Sequence, residues 1–513
     1  MSIMSFSSFG YEGALVKVET DIRRGIPAVD IVGLADSSVQ ESRERMKCTI
    51  INSGFEFPPE RVLISLSPAD LKKEGAGFDL PIALSILHSY AESKGEVTHS
   101  QENEVLVMGE LELSGKIRPV KGVYAALTTA KASGIKYAII PKDSEKEPNG
   151  ILCYRAETLE DAYHALCKVD CEDTEEYFQE LVEEQEEEPF KVEFEDYDFA
   201  DDFDQIENHN GLKMALAVAV AGRHNLLVWG SPGCGKTFVL QRMPLLMPKL
   251  LSQEKKSVTR IWSMAGLLRN GSKIENRPFR IPHQTASLEG MCGGGYNCRP
   301  GEISLAHNGV LFLDEAAEFR SAVLHMLRVP VEIGTITLSR AGRSTTFPAR
   351  FQLIMATNPC PCGNYGSDEK ICLCSAKSVD LYWKKFSAPL LDRVGIRFDN
   401  NSEKAEDYQF HSLASLRIMI KQAWERQYTR QYKLNQDLAP SEILEYIKLS
   451  EDAQKKLDEA ILKRGLSPRA VSNIVKMAKT IGDMLDREEQ ETVSTCQIEY
   501  ALKLHGVLPV EYL

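Results

Sequence analysis

The chain has 513 residues, of which 43% are apolar and 26% charged, a composition typical of globular proteins and a length sufficient for about three domains. No run of 18 or more apolar residues occurs, and the amino-terminal residues lack the basic and apolar segments of a signal peptide. We therefore expect a cytoplasmic protein with no membrane partner. The 12 cysteines do not suggest a secreted disulfide framework, because four of them lie within one short segment.

Residues 1–169 predict a compact domain that mixes strands and helices. Strand-like runs at 105–108 and 137–140 alternate with helical patterns at 80–90 and 124–133. This mixture predicts an α/β or α+β domain but does not by itself indicate a function.

Residues 170–204 carry most of the negative charge of the chain. The segment contains 18 Asp or Glu residues and one basic residue, Lys191, so the rest of the chain has a net charge of +3 against −14 for the whole. Such blocks repel themselves and bury little apolar surface, which favours a solvated acidic linker between domains. An acidic segment that binds a partner is the alternative.

Residues 205–400 predict a parallel α/β domain, followed by a helical domain over 401–513. The run 226–229 is typical of a short buried strand, and it is followed by a tight turn and a helical pattern over 236–243. Two further strands, 310–313 and 353–357, each end in polar residues. Parallel strands deliver such side chains to a site at their carboxyl ends.

The turn after the first of these strands fits the phosphate-binding pattern G-x-x-x-x-G-K-[ST]. Its residues are Gly230, Ser231, Pro232, Gly233, Cys234, Gly235, Lys236 and Thr237. In this pattern backbone N–H groups surround the phosphates, Lys236 reaches the β- and γ-phosphates, and the Thr237 hydroxyl binds Mg²⁺. The strand and helix on either side are the context that this mechanism requires, so we expect a nucleoside triphosphate such as ATP as cofactor.

Acidic and amide side chains follow the other two strands. Asp314 would hold Mg²⁺ through water, and Glu315 would polarise the attacking water. Taken alone, the pair is more typical of an ordinary strand end. Asn358 could position the same water, although a lone Asn more often forms a turn.

Two arginines are candidates for stabilising the charge of a transferred γ-phosphate, because a guanidinium group matches phosphate oxygens bidentately. They are Arg393 and Arg469, and either could instead be a surface arginine. Ser467 and Pro468 are typical of a helix start, which places Arg469 in the first turn of a helix. One apolar face of that helix is predicted from Val471, Ile474, Val475, Ala478 and Ile481.

Four cysteines, Cys360, Cys362, Cys372 and Cys374, form two C-x-C pairs separated by nine residues within an insert at 358–376. Four thiolates suit one tetrahedral Zn²⁺ and leave no open position, so any zinc would be structural; unligated thiols are the alternative.

A β-hairpin is predicted from strand-like runs at 335–338 and 345–347 around a basic turn. Arg340 and Arg343 in this turn, with Lys384 and Lys385 further on, could contact the backbone of a nucleic acid or could simply be solvated.

Together, the run 299–309 that leads into Asp314 and the run 358–363 resemble the magnesium-chelatase-like AAA+ ATPases of the YifB/ComM type. The resemblance extends upstream through 29–36, 41–45 and 73–83, and so covers nearly the whole chain outside the acidic linker. It implies an α/β P-loop AAA+ module with a helical lid of the magnesium-chelatase type, preceded by an α+β Lon-protease-like domain. It also implies a ring-forming ATPase, and for ComM-type members a hexameric helicase that promotes branch migration of DNA during natural transformation.

The same resemblance implies roles for individual residues. Lys236 and Thr237 would be Walker A residues, Asp314 and Glu315 Walker B residues, and Asn358 a sensor. Arg393 would be the arginine finger, which acts on the nucleotide of a neighbouring subunit. Arg469 would be the nucleotide-sensing arginine of the helical lid. Branched or single-stranded DNA and further copies of the chain are the implied partners.

The first domain is similar to the Lon protease domain, mainly over 109–120, 134–136 and 139–142. Where Lon has its nucleophilic serine, this chain has 74–78 around Ala76, and where Lon has its lysine, it has 122–124. Without the hydroxyl and its activating amine there is no nucleophile, so we expect no protease activity.

Two features depart from the family pattern or bear on what it implies. The approach to the phosphate loop, 204–211, is longer and less regular than expected, which leaves the contacts to adenine open. The chain ends soon after the helical domain, and no module like the metal-binding partner of magnesium chelatases is recognised. The alternatives to a DNA motor are an ATPase that remodels proteins or metal complexes, and a binding module that uses nucleotide only for assembly.

Overall fold

The computed structural model describes most of the chain. It covers residues 1–33, 36–69, 71, 73, 75–96, 103–144, 150–169, 178, 190–197, 201–206, 209–268, 274–340, 343–366, 370–401, 411–485 and 491–512. No helix among these residues is both long and apolar enough to cross a lipid bilayer.

The N-terminal region, 1–169, is built on a mixed sheet of seven strands. The strands of the region are β1 Ser2–Ser7, β2 Ala14–Arg23, β3 Ala28–Val32, β4 Arg61–Ser67, β5 Glu104–Val107, β6 Glu110–Leu111, β7 Ile117–Arg118, β8 Tyr137–Pro141 and β9 Leu152–Ala156, of which β6 and β7 pair with each other outside this sheet. Its helices are α1 Ser37–Asn52, α2 Asp79–Lys94, α3 Val123–Ala132 and α4 Leu159–Lys168. The sheet order is β3-β4-β2-β1-β5-β8-β9, with β1 antiparallel to β2 but parallel to β5. The predicted strands and helices are confirmed to within a few residues.

The acidic segment is described only in part, and that part is not wholly solvated. Phe178 is fully buried against Tyr137 and Tyr154 of the N-terminal sheet. Val192 and Phe203 are buried in the core of the following region. The prediction of a solvated linker is therefore wrong for these apolar side chains, because they remove enough apolar surface from water to hold parts of a highly charged segment against the folded regions.

The α/β region, 205–400, contains a second sheet whose strands all run parallel. The short helix α5 Asp201–Asp204 precedes the region. The helices of the region are α6 Asn210–Gly222, α7 Lys236–Leu240, α8 Ser252–Ala265, α9 Leu288–Cys292, α10 Glu302–Leu305, α11 Ser321–Met326, α12 Arg328–Ile333, α13 Ala376–Trp383 and α14 Ala388–Leu391. The strands of the region are β10 Leu226–Trp229, β11 Phe279–Arg280, β12 Gly293–Gly294, β13 Arg299–Pro300, β14 Val310–Leu313, β15 Thr335–Arg340, β16 Arg343–Pro348, β17 Gln352–Thr357 and β18 Ile396–Asp399. Outside the parallel sheet, β12 pairs with β13 and β15 with β16, both antiparallel. The sheet order is β11-β14-β17-β10-β18.

Every residue of β10, β14 and β17 is buried, which explains why these strands read as unbroken apolar runs rather than as alternating patterns. Because the strands are parallel, their carboxyl ends meet at one edge of the sheet. Gly230, Asp314 and Asn358 each follow one of these strands. We call this edge the nucleotide edge.

The C-terminal helical region, 401–513, packs helices against α6. Its elements are α15 Leu413–Gln431, α16 Pro440–Tyr446, β19 Lys448–Leu449, α17 Glu451–Arg464, α18 Pro468–Leu485, β20 Thr492–Val493 and α19 Thr495–Leu504. The described residues of the whole chain also form short 3-10 helices at Ala76–Phe78, Met243–Leu246, Ala316–Glu318, Lys384–Phe386, Asn435–Asp437 and Pro509–Tyr512. The predicted start of α18 is confirmed, since Ser467 Oγ accepts a hydrogen bond from the Ala470 N–H at 3.1 Å. Its predicted apolar face packs against α6 and α15, with Val471 half-buried and the other four residues buried.

The N-terminal region contacts the α/β region through the turn between β1 and β2. The N–H of Tyr11 donates to Thr345 Oγ1 of the β15–β16 hairpin at 2.9 Å, and the N–H of Gly10 donates to the Asn297 carbonyl oxygen at 2.9 Å. Gly10 has φ +61°, and a Cβ there would lie 2.2 Å from Thr345 Oγ1. Only glycine fits this approach.

Candidate nucleotide-binding site

The phosphate-binding motif forms a tight loop between β10 and α7. Gly233 and Gly235 have φ of +80° and +81°, a left-handed conformation that glycine adopts without steric cost. No atom lies within 4 Å of the position that a Cβ would take at Gly233. Successive N–H groups can therefore turn inward around an anion at the start of α7, as the sequence predicts.

The Lys236 ammonium group folds back over this loop. It is largely buried and donates hydrogen bonds to the carbonyl oxygens of Gly230 and Ser231 at 2.7 and 2.9 Å. An amine in this position faces any phosphate held by the loop. Thr237 Oγ1 donates to Asp314 Oδ1 at 2.9 Å, so the two predicted magnesium ligands lie within reach of a single ion.

Glu315 lies beside Asp314 in an uncommon backbone conformation. Its φ of +46° is rare for a residue with a side chain, and its N–H donates to Asp314 Oδ1 at 3.0 Å. Such local strain is typical of residues held in place for function. Gln284 Nε2 donates to Glu315 Oε2 and so orients the carboxylate. The sequence analysis did not identify Gln284, because a lone Gln between strands carries no recognisable signal.

Asn358 lies between the two halves of this site. Its strand, β17, is paired with both β10 and β14, and Thr357 is in register with Trp229. Asn358 is therefore level with Gly230, next to the strand that delivers Asp314. The placement agrees with the predicted role of orienting water.

Two residues that the sequence analysis did not identify also line the phosphate loop. Asn401 Oδ1, just beyond β18, accepts a hydrogen bond from the Ser231 N–H at 2.8 Å. The His209 ring lies against Gly235, where a Cβ would come within 2.7 Å of Nε2. Burial lowers the pKa of His209, which favours the neutral ring. The irregular approach segment thus delivers one side chain to the loop.

Arg393 and Arg469 lie at the opposite edge of the sheet. The Arg393 carbonyl oxygen accepts a hydrogen bond from Asn225 Nδ2 at 2.9 Å, at the amino end of β10. The four-residue strand separates this point from the phosphate loop by roughly 13 Å. Both guanidinium groups pair with the carboxylate of Glu332, so Arg469 lies here as well. We call this the arginine edge; neither arginine reaches the phosphate loop of its own chain.

The four cysteines form a compact cluster at the nucleotide edge. Their Sγ atoms all lie within 4.8 Å of one another, with Cys360 and Cys372 at 3.7 Å and Cys362 and Cys372 at 3.6 Å. Four sulfurs around one tetrahedral Zn²⁺ at the usual bond length would be about 3.8 Å apart. The donor set and its spacing are compatible with a structural zinc ion.

The cysteine cluster touches the phosphate loop directly. Gly363, with φ +78°, lies so close to Pro232 that a Cβ would come within 2.5 Å of its ring. On the other side, Trp383 Nε1 donates to the Pro359 carbonyl oxygen at 2.9 Å. The cluster is therefore packed between the loop and α13.

The predicted basic hairpin is present as β15 and β16, paired from Thr335–Pro348 to Arg340–Arg343. The side chains of Arg340 and Arg343 lie outside the described part of the structure. Lys384 forms an exposed ion pair with Asp380, and Lys385 donates to the Ala317 carbonyl oxygen at 2.8 Å. Lys385 thus has a structural partner, and the hairpin is itself anchored by Ile336 and Phe347, which are buried in the core.

These features define a P-loop α/β nucleotide-binding protein. The family model described as magnesium chelatase, subunit ChlI, matches residues 202–408, that of subunit ChlI of Mg-chelatase matches 18–144, and that of the ChlI C-terminal part matches 411–505. The chain is 36% identical to the uncharacterized protein YifB of Escherichia coli, over 98% of this chain and 96% of that protein.

It is also 35% identical to the competence protein ComM of Haemophilus influenzae, over 95% of this chain and 94% of that protein. Identity to the magnesium-chelatase 38 kDa subunit of Rhodobacter capsulatus is 22%, over 31% of this chain and 50% of that subunit. The chain belongs to the magnesium-chelatase-like YifB/ComM family. Membership in this AAA+ family implies ATPase activity, and with it ATP and Mg²⁺ as cofactors.

Proposed function

We propose that this protein is an ATP-driven, ring-forming DNA motor, and that it acts as a branch-migration helicase in the homologous recombination of natural transformation. The observation that carries the proposal is the separation of the nucleotide edge from the arginine edge within one chain. A motor that moves on a polymer needs communication between neighbouring subunits. Because the two arginines lie far from the phosphate loop of their own chain, they could act only on the nucleotide of a neighbouring subunit.

At the nucleotide edge, ATP and Mg²⁺ would be held by the phosphate loop, Thr237 and Asp314. Lys236 would contact the β- and γ-phosphates, while Glu315 and Asn358 would orient the attacking water. The hydrogen bond from Gln284 would keep the Glu315 carboxylate aimed at that water.

Arg393 and Arg469 would complete the site of a second copy. Both lie too far from the phosphate loop of their own chain, so they would reach a γ-phosphate only across an interface between copies. Interfaces of this head-to-tail kind form a ring when the rotation between copies closes, and a hexamer is the size that we propose. In this arrangement Arg469 acts on the neighbour, as Arg393 does, rather than on its own nucleotide.

The proposal that DNA is the substrate rests on three features. A close relative is named as a competence protein. The β15–β16 hairpin has a basic turn, which suits contacts to phosphates. The cysteine cluster, which we propose to bind structural zinc, lies against Pro232 and could relay changes in the phosphate loop to its surface. Branched or single-stranded DNA is the proposed partner.

The N-terminal region is proposed to be a Lon-like scaffold without protease activity. Gly77 and Val120 are neighbours, with 3.7 Å between the position of a Cβ at Gly77 and Val120 Cγ1, so the segment around Ala76 lies beside the residues that lead into 122–124. Ala76 offers no hydroxyl, and Val123 offers no amine. Cleavage of casein that depends on this region would contradict the proposal.

The test is ATP hydrolysis by the purified protein with and without a four-way DNA junction. We expect a rise in the rate with the junction that is lost in Lys236→Ala and in Glu315→Gln. Glu315→Gln should still bind ATP, since it keeps the phosphate loop intact, and should fail to move the junction. Strand-displacement assays on the same junction then report helicase activity. If Glu315→Gln supported branch migration, nucleotide would serve only for assembly.

A second candidate is favoured by the magnesium-chelatase family models: an ATPase that remodels a protein or a metal complex. It predicts a hydrolysis rate that saturating DNA does not change. In that case affinity capture with Glu315→Gln, in the presence of ATP, should retain a polypeptide client.

A further inference from the structure

A single carboxylate joins the two arginines of the arginine edge. Glu332 Oε2 pairs with Arg393 Nη2, and Glu332 Oε1 pairs with Arg469 Nη2. The Arg393 side chain is 7% exposed, whereas those of Glu332 and Arg469 are 44% and 40% exposed. One anion therefore bridges a buried guanidinium and a surface guanidinium that come from segments 76 residues apart in the chain.

The surroundings hold this bridge from both sides. Arg393 Nη1 donates to the Pro389 carbonyl oxygen, which anchors the buried guanidinium. Next to it, Ser467 Oγ donates to Asp392 Oδ1 at 2.6 Å and thereby ties the start of α18 to the same turn. Hydrogen bonding from Arg393, together with the positive charges of Arg393 and Arg469, lowers the pKa of Glu332, so the bridge stays ionised.

The helix that carries Glu332, α12, has an exposed face and leads directly into the β15–β16 hairpin. On α12, Val329 and Ile333 are 54% and 65% exposed, one helical turn apart beside Glu332. Gly334, with φ +73°, ends the helix, and β15 starts at the next residue. A movement of Glu332 would thus be passed directly to the base of the basic hairpin.

We propose that Glu332 is a positioning residue that holds Arg393 and Arg469 together as one unit for the nucleotide of a second copy, and that it links this unit to the β15–β16 hairpin. The inference rests on the proposed ATPase ring. Two guanidinium groups repel each other, and the carboxylate between them offsets this repulsion. Each guanidinium has five N–H donors, so pairing with Glu332 occupies only some of them, and the exposed Arg469 group keeps donors for phosphate oxygens.

The first test compares Glu332→Gln with Glu445→Gln, a matched change at an exposed glutamate on α16. We expect kcat for ATP hydrolysis to fall about 10-fold in Glu332→Gln with KM for ATP within about 2-fold of wild type, because the phosphate loop lies at the other edge. Glu445→Gln should behave as wild type. A thermal midpoint equal to that of wild type shows that Glu332→Gln is folded. A rate at or above that of wild type would overturn the proposal.

The second test asks whether the defect lies in the neighbour's site. Lys236→Ala subunits have an intact arginine edge, and Glu332→Ala subunits have an intact phosphate loop. Mixing the two should restore hydrolysis above the sum of the separate rates. Absence of recovery would place the effect of Glu332 within its own subunit and refute the inference.

A double-mutant cycle separates positioning from folding. In an Arg469→Ala background, removal of Glu332 should cost less than it does in wild type, because only one guanidinium is left to hold. Additive costs would contradict a shared unit. If Arg393→Ala itself hydrolyses ATP at the wild-type rate, the proposed ring site fails; if only the Glu332 variants do so, this inference alone fails.

Discussion

The contact between Thr237 and Asp314 defines the centre of the candidate site at the scale of single residues. A hydroxyl at the start of α7 and a carboxylate oxygen at the end of β14 lie 2.9 Å apart and form a ligand pair for one hard cation. Glu315 then follows with a φ of +46°, a strained conformation for a residue with a side chain. Its orientation depends on one further hydrogen bond, from Gln284.

We predict that Gln284→Ala lowers kcat for ATP hydrolysis about 10-fold, equivalent to about 1.4 kcal/mol of transition-state stabilisation. The reason is that Glu315 would lose the donor that orients it, while the phosphate loop remains unchanged, so KM for ATP should stay near that of wild type. Steady-state kinetics measure both constants. Gln284→Glu should be slower still, because it places a second carboxylate against Glu315. Wild-type kcat in both variants would show that Gln284 has no role.

Buried histidines predict an acid-sensitive fold. Burial lowers the pKa of His224 to about 4, that of His307 to about 3 and that of His505 to about 4, from an ordinary value of 6.5. The unfolded chain therefore binds these protons more readily than the native protein. The free energy of unfolding should fall as the pH drops from about 6.5 towards about 4, by up to about 1.4 kcal/mol per pH unit for each histidine.

Thermal unfolding followed across this range checks the prediction. His224 bonds to Gln436 and Thr480, both at 2.9 Å, so His224→Gln tests one member of the set. The variant should be less stable near neutral pH but lose less stability on acidification. His164→Gln, which replaces an exposed histidine, is the control. An identical pH dependence in all three proteins would contradict the assignment.

At the scale of elements, the cysteine cluster and the phosphate loop form one packed unit. The cluster is inserted directly after β17, and its Gly363 rests on Pro232. Binding of a structural zinc ion contributes to the folding free energy, because the ligand set is not preformed in the unfolded chain. A change in the cluster should therefore alter nucleotide binding.

We predict that Cys372→Ser with Cys374→Ser releases one zinc ion per chain and weakens ATP binding several-fold. The physical reason is that the segment that supports Pro232 loses its crosslink. Zinc content by atomic emission and ATP affinity by fluorescence titration give the two readouts. Cys496→Ser, at an exposed cysteine outside the cluster, should change neither. Unchanged ATP affinity after zinc loss would show that the contact with Pro232 is not functional.

At the scale of the whole molecule, Arg260 makes four of the hydrogen bonds that join the N-terminal region to the α/β region. From α8, its guanidinium donates to the carbonyl oxygens of Tyr11 and Glu12 at 3.1 and 2.8 Å. It also donates to the hydroxyls of Thr128 and Thr129 at 2.6 and 2.9 Å. Because Tyr11 also binds and packs on the β15–β16 hairpin, this turn links the N-terminal region to the arginine edge.

We predict that Arg260→Ala loosens this contact by about 2 kcal/mol, since hydrogen bonds to a charged group are among the stronger ones in proteins. Amide hydrogen exchange should become faster in residues 9–13 and in β16, and should stay unchanged in β10 and β17. Lys256→Ala, an exposed position on the same helix, is the control. Equal protection in Arg260→Ala and wild type would show that the regions are held by other contacts.

Local patterns in the sequence were sufficient for the phosphate loop, the buried strands and the start of α18. Each depends on residues close in sequence, so spacing alone predicts them: Gly233 and Gly235 are needed for the backbone of the loop, and Ser467 is needed to cap a helix. The four cysteines are likewise predicted from spacing alone, because only nine residues separate the first pair from the second. The family resemblance, shown by the relatives, also followed from such local runs.

Only the tertiary structure decided which distant residues meet. Gln284, His209 and Asn401 reach the site from separate segments, and nothing in their own neighbourhood indicates this. The position of Arg469 beside Arg393, and the carboxylate of Glu332 between them, depend on how α18 docks on the sheet. Such contacts come from the packing of whole elements, where buried apolar faces determine which polar side chains are brought together, and no short pattern encodes that outcome.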